Sequence, residues 1–297
     1  MKDRTKGNIA LLLTAMAWGT GFIAQKLGNQ VMPPIAFNAV RQLMAALVMS
    51  PFMFAGLKRS GYFSAEKNSE STLEFRRKKT IAAGLVCGFF LMLGTTTQQI
   101  GLVTVSAGKS GFISSIYIVF TPIFTMALGV KVRPKSIFCV IMAMFGFAVM
   151  SLQGGLGGAT VGDWLTLVSA AGFAAQIVSI NHFVDKDNAL LISVLQMLVG
   201  GLIGMCISLA TEPQSAAALI ECMPILLYST LVPTSLGYTL QIVGQKYTDS
   251  STAALLMSLE SVFAAIFGAI FLKEMMSARE LAGCAIILAA TIIGQKE

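Results

Sequence analysis

The stretch SSIYIVFTPIF at Ser114–Phe124 returns 143 residues later as MSLESVFAAIF at Met257–Phe267. Ser115 falls on Ser258, Tyr117 on Glu260, and the Val-Phe-x-x-Ile-Phe frame of Val119–Phe124 on that of Val262–Phe267. The same offset aligns Gln98 with Gln241 and Gly101 with Gly244. Further upstream the offset is 155: Gly7 meets Gly162, Leu12 meets Leu167, Ala15 meets Ala170, Leu43 meets Leu198, and Leu47 meets Leu202. The 12-residue change of offset is extra chain in the polar segment 58–79 of the first copy. The chain is therefore an internal duplication, with copies expected at 1–152 and 153–297 within one membrane domain.

Each copy holds five apolar runs. They lie at about 8–26, 35–57, 80–101, 107–129, 136–152, 162–183, 189–209, 223–245, 252–272 and 278–295. Crossing a hydrocarbon core takes about 20 apolar residues of helix but only about 9–11 of a barrel strand. Open sheet edges are not viable in lipid. The runs read as ten transmembrane helices. Five spans per copy is an odd number, so the second copy enters the membrane from the opposite side. The expected fold is all-α integral membrane, two inverted-topology five-helix repeats. This is the architecture in which secondary carriers place their site, at the seam between repeats.

Composition agrees. The chain of 297 residues is 55% hydrophobic and only 12% charged, about half the charge of a soluble domain, with a mean hydropathy of +0.76. The net charge of +7 sits in particular loops, so it reflects topology rather than nucleic-acid binding. With the N-terminus inside, inner segments of the first half hold thirteen Lys and Arg, including Arg76, Arg77, Lys78 and Lys79, against Lys26 and Lys109 outside. The positive-inside rule then puts both termini on the cytoplasmic side of a membrane, expected to be the bacterial inner membrane. The segment 58–79 is expected as a solvated cytoplasmic loop. The first run is a true span rather than a cleaved signal. Cys87, Cys139, Cys206, Cys222 and Cys284 are scattered without metal-ligand spacing. No metal or other cofactor is expected. No Gly-rich phosphate loop precedes a Lys-Ser/Thr pair, so no ATPase is built in.

Charged groups inside a span cost at least about 2.5–3.5 kcal/mol each, and two are clearly internal, Arg41 and Glu260. At about 1.5 Å per residue they lie roughly 10 Å and roughly 17 Å below the outer face. Arg41 suits an anionic group such as a carboxylate, and Glu260 an ammonium group or a coupling proton. The alternatives are an Arg41–Glu260 ion pair, or Arg41 snorkelling to the outer interface. The repeat sets Gln196 opposite Arg41 and Tyr117 opposite Glu260. Trp18, at mid-span, is a stacking or packing residue. Ser114, Ser115 and Tyr117 are ligand hydrogen-bonders or bond back to their own helix. Gln25, Gln98, Gln99, Gln176, Gln241 and Gln245 are polar enough to face a cavity. His182 has no evident partner. Pro122 and Pro233 interrupt helical spans and are candidate gating bends or passive kinks. Gly84/Gly88 and Gly200/Gly204 permit close helix contact.

Four segments carry a family resemblance: AWGTGFIAQK at Ala17–Lys26, SAGKSGFISSIYIVFTPIF at Ser106–Phe124, DSSTAALLMSLESVFAAIFGAIFLKE at Asp249–Glu274 and LAGCAIILAATIIG at Leu281–Gly294. Together they resemble the drug/metabolite transporter superfamily, in its ten-helix EamA-like branch, over essentially the whole chain. One departure is Ser261, where the family often has Pro after the Glu of its ninth span. The resemblance implies a central cavity between the halves and transport of small metabolites, often export.

The combined expectation is a secondary carrier and not an enzyme. It moves amino-acid-like or drug-like solutes by alternating access around a central cavity. The alternative is an integral membrane enzyme acting on lipid or isoprenoid substrates, which needs clustered carboxylates, His or a nucleophile near a membrane face. A channel would need a charged ring or filter, and neither is visible. Expected partners are the solute and the bilayer, with no nucleic acid. Proton coupling through Glu260 is open, and no oligomer is required.

Overall fold

The span that carries Arg41 begins where Pro33 and Pro34 set the first turn of a helix, whose N-terminus is closed by a distant carboxylate. Ile35 and Ala36 N–H donate to Glu212 Oε1 and Oε2 at 2.9 and 2.7 Å. The helix ends at Gly61, whose φ of 66° lets its N–H turn back to Leu57 O. A computed structural model describes the chain apart from residues 1, 65–68, 128, 130–133, 152–158, 185–187, 249 and 296–297. The described residues form helices and no strand. In lipid a helix satisfies every backbone group within itself.

In the first half the helices are α1 (Lys2–Gly28), α2 (Pro34–Ser60), α3 (Glu70–Gly101), α4 (Ala107–Ser114), α5 (Tyr117–Ala127) and α6 (Pro134–Ser151). The second half holds α7 (Val161–Phe183), α8 (Ala189–Thr211), α9 (Ala216–Glu221), α10 (Met223–Ser229), a π-helical segment Thr230–Gly237, α11 (Tyr238–Gln245), α12 (Ser250–Ser258), α13 (Glu260–Phe267), a second π-helical segment Gly268–Leu272, and α14 (Ala278–Gln295). Among the described residues, seven helical stretches are long and apolar enough to cross a membrane. The other passes are α6, the broken α10–α11 and α14.

Contacts follow the duplication. Helix α3 lies against α7 and α8, while α11 and its π segment lie against α1 and α2. The same repeat relation governs two close approaches of backbone. A methyl on Gly101 would fall 2.9 Å from Gly162 O, and one on Gly244 would fall 3.0 Å from Gly7 O. These are repeat-related pairs at opposite ends of the bundle, and only glycine allows either contact. Gly88 and Gly200 also face each other, a methyl on Gly200 falling 3.1 Å from Gly88 O. The small-residue pairs thus serve internal packing, as expected for bundles in lipid.

The bundle is apolar outside and polar within. Leu47, Ile141 and Phe271 are 73%, 64% and 67% exposed, while Gln42, Thr95, Gln176 and Asp163 are buried. Water would reverse that arrangement; lipid permits it. One expectation needs correction. The segment 58–79 is not loop throughout, because α2 runs to Ser60 and α3 starts at Glu70. Ser69 caps α3 by accepting from Thr72 N–H, with Glu70 in the first turn. Arg76 lies on this polar turn, donates to Tyr62 O at 2.6 Å and sits over the Tyr62 ring at 4.4 Å.

Candidate functional site

Two helices of the bundle break at repeat-related points. Ser115 Oγ donates to Phe112 O, and Ser258 Oγ donates to Leu255 O, each at 2.7 Å. Such back-bonding competes with the helical ladder and bends helices. The backbone then tightens, with Val119 N–H on Ile116 O at 2.8 Å and Val262 N–H on Leu259 O at 3.1 Å. Helices α5 and α13 restart just beyond, and their first residues are Tyr117 and Glu260.

A third break comes from Pro233. A proline has no N–H, so Ser229 O loses its helical donor. Thr234 Oγ1 supplies one at 2.7 Å, and the turn widens into the π segment. Pro233 O accepts from Trp18 Nε1 at 3.0 Å, and the Trp18 ring tilts against Tyr238 with centroids 5.0 Å apart.

The breaks surround a narrow cavity. Four repeat-related pairs line it: Trp18 with Phe173, Phe22 with Ile177, Gln98 with Gln241, and Tyr117 with Glu260. Gln25, Arg41, Gln176, Pro233 and Tyr238 complete the lining. The cavity therefore sits on the pseudo-twofold relation between the repeats.

Arg41 is 2% exposed. Its Nε and Nη2 donate to Asn38 Oδ1 at 3.1 and 2.8 Å, and Nη1 donates to Thr234 Oγ1 at 3.2 Å. Asn38 is fixed in turn by its Nδ2 donating to Thr95 and Thr96. A guanidinium has five N–H groups, so one on Nη1 and one on Nη2 remain for a cavity ligand. No ion pair joins Arg41 to Glu260 among the described residues, and Arg41 does not snorkel outward. Both alternatives raised by the sequence are thereby set aside. Tyr117 OH lies beside the Glu260 carboxyl. The buried cation and buried carboxyl thus face the cavity without neutralising each other.

Of the residues singled out from sequence, Trp18, Gln25, Arg41, Gln98, Tyr117, Gln176, Pro233, Gln241 and Glu260 meet at this cavity. Ser114 stands one layer behind, accepting from Gln98 Nε2 at 2.8 Å. Gln196 also stands behind, its Oε1 accepting from Gln176 Nε2 at 3.0 Å while its own Nε2 is buried without a partner. Pro122 lies within α5, away from the lining. Gln99 and Gln245 are used elsewhere, on Gln25 O and Ile177 O. Sequence reasoning missed Phe22, Phe173, Ile177, Tyr238 and Asn38. The 155-residue offset applied to Trp18 and Phe22 finds Phe173 and Ile177. Asn38 precedes Arg41 by three residues, on the same helix face.

The chain matches the family described as the EamA-like transporter family over residues 5–152 and again over 160–293. It is 30% identical over 293 residues to a protein of Archaeoglobus fulgidus described as an uncharacterized transporter, covering 98% of this chain and 86% of that one. It also resembles, with a TM-score of 0.66 and 14% identity, a solved structure described only as a crystal structure of a protein, covering 98% of this chain and 96% of that one. That last likeness concerns the fold alone.

Proposed function

The chain belongs to the EamA-like transporter family, and from that premise we propose that it is a secondary carrier moving a small, amino-acid-like solute by alternating access around the cavity between its repeats. The supporting observation is that Arg41 of α2 and Glu260, at the start of α13, line one cavity without pairing with each other. Arg41 has two N–H groups left for a solute carboxylate, in the fork geometry that favours such a group. Glu260 faces the same space from the other repeat and suits an ammonium group or a transported proton. Trp18, Phe173 and Tyr238 supply an apolar wall for a side chain, and Gln176, held by Gln196, a polar one. Opening in turn to each side follows from rocking one set of helices against the other around a fixed site. Export is the direction the family resemblance implies. The Lys and Arg distribution supports both termini on the cytoplasmic side.

Uptake into proteoliposomes, with pooled labelled amino acids and small metabolites and with or without a pH gradient, tests this reading. Saturable, protein-dependent flux is expected. Absence of flux with folded protein shifts weight to a membrane enzyme acting on lipid. In the same assay Glu260→Gln is expected to abolish accumulation driven by a pH gradient while sparing solute exchange. Undiminished uphill transport by that variant would remove Glu260 from the coupling role.

A further inference from the structure

The π-helical segment Thr230–Gly237 is pinned from outside its own helix by bonds from α1 and α2. Trp18 Nε1 donates to Pro233 O at 3.0 Å and Thr14 Oγ1 to Gly237 O at 3.2 Å, both from α1. Arg41 Nη1, from α2, donates to Thr234 Oγ1 at 3.2 Å. Thr234 is fully buried. A hydroxyl has one proton and two lone pairs. The Thr234 proton goes to Ser229 O at 2.7 Å, the carbonyl that Pro233 leaves without its helical donor. Arg41, Thr234 and Ser229 O therefore form one chain of bonds. The charge on Arg41 polarises the hydroxyl and strengthens its hold on the carbonyl.

The equivalent place in the other repeat is built differently. The 143-residue offset sets Phe90 at Pro233 and Leu91 at Thr234, and there α3 runs unbroken from Glu70 to Gly101. The 155-residue offset sets Phe173 at Trp18 and Gln196 at Arg41. Phe173 packs on Gly94 as Trp18 packs on Gly237, a methyl on either glycine falling 2.7 Å from the facing ring. A phenyl ring, however, has no N–H to give. The proline, the hydroxyl and the cation thus occur together at one of two repeat-related places and are replaced together at the other.

A π turn holds roughly one residue more than an α turn, so a switch between the two re-aims whatever lies beyond it. Beyond Thr234 come Tyr238 and Gln241, both in the cavity lining, of which Thr234 itself is not a part. The bond from Arg41 to Thr234 is at the long end of the normal range. A two-bond guanidinium–carboxylate fork is stronger than a single bond to a neutral hydroxyl, so a bound carboxylate decides where the guanidinium sits. We propose that Thr234 is a positioning residue for transport, linking solute capture to the helix break. A solute carboxylate on Arg41 draws the guanidinium off Thr234 Oγ1, the hydroxyl loosens its hold on Ser229 O, and the π segment shifts, moving Tyr238 and Gln241. This rests on the carrier reading above and adds the route by which an occupied cavity reaches a helix break.

The test is initial uptake of a labelled pool of the common L-amino acids into proteoliposomes, over a range of pool concentrations and per unit of folded protein. Thr234→Val removes the hydroxyl at nearly constant shape. It is expected to lower the maximal rate about tenfold, the worth of one hydrogen bond to a charged group, with the half-saturating concentration within about twofold of that of the unaltered protein. Thr234→Ser keeps the hydroxyl and is expected to restore most of the rate. Thr234→Ala takes the place of Thr234→Val if that variant does not fold. A purely structural role would lower the thermal midpoint and leave the rate per folded protein unchanged, and that result overturns the inference. So does a raised half-saturating concentration, which would make Thr234 a solute contact, or a Thr234→Ser variant as slow as Thr234→Val. If the unaltered protein shows no saturable uptake of the pool, the carrier reading falls first and the inference with it.

Discussion

Arg41 shows how a single residue carries both stability and function. Its charge is tolerated because Asn38 Oδ1 accepts two of its N–H groups and Thr234 Oγ1 a third. Asn38 also accepts from Gln42 Nε2 at 3.2 Å, so it is the hub of a fully buried polar layer. Asn38→Leu strands the guanidinium and is expected to cost about 2–3 kcal/mol, visible as a lowered thermal midpoint in detergent. Asn38→Asp separates the two roles. It gives Arg41 a permanent anion, so stability is expected to hold while uptake of an anionic solute falls. Equal loss of stability in both variants would contradict this account. The sequence showed Arg41 as an anomaly inside a span. It did not show that Asn38, three residues earlier, is what allows it, because an Asn is unremarkable in a membrane helix and its partners Thr95 and Thr96 come from another span.

At the scale of elements, what counts is where helices approach and where they break. Helix α3 reaches α7 through Gly101 against Gly162, and α11 reaches α1 through Gly244 against Gly7. Gly101→Leu and Gly244→Leu are each expected to cost about 1–3 kcal/mol by forcing the helices apart. Because the two contacts are repeat-related, their thermal shifts should be similar. A neutral effect of either would mean that its helices can separate freely. The spans were legible because hydropathy and length suffice to find them. The breaks at Ser115–Ile116 and Leu259 were not, since a serine bends a helix only when its hydroxyl turns back to a carbonyl, and that rotamer is a matter of local packing. The early start of α3 was missed for another reason. Residues 70–79 carry a capping signal at Ser69 but no apolar stripe, and hydropathy reports only the part of a helix that lies in lipid.

At the scale of the whole molecule, the duplication makes the cavity quasi-symmetric in shape and asymmetric in charge. Tyr117 and Glu260 begin equivalent half-helices and lie side by side. Exchanging them tests whether position or identity matters. Glu260→Tyr alone is expected to abolish gradient-driven uptake, while the double variant Glu260→Tyr/Tyr117→Glu is expected to recover a measurable part of it. The carboxyl then stands at nearly the same point in the cavity, on the other repeat. No recovery in a folded double variant would show that Glu260 acts through contacts specific to α13.

The sequence by itself determined the membrane environment, the ten spans, the duplication and its inversion. Each of these follows from counts and offsets along the chain: apolar length against bilayer thickness, and an odd number of spans per copy. It also marked Arg41, Glu260, Trp18 and Tyr117, because polar or bulky groups in mid-span are costly enough to be conspicuous. Only the tertiary structure decided that these four meet in one cavity, that Ser114 and Gln196 stand behind it, and that Arg41 and Glu260 remain apart. Those facts depend on helix rotation and on hydrogen bonds between residues far apart in the chain. Such bonds as Trp18 to Pro233 and Arg41 to Thr234 follow from no local pattern, because membrane helices turn about their axes until their scattered polar groups find partners.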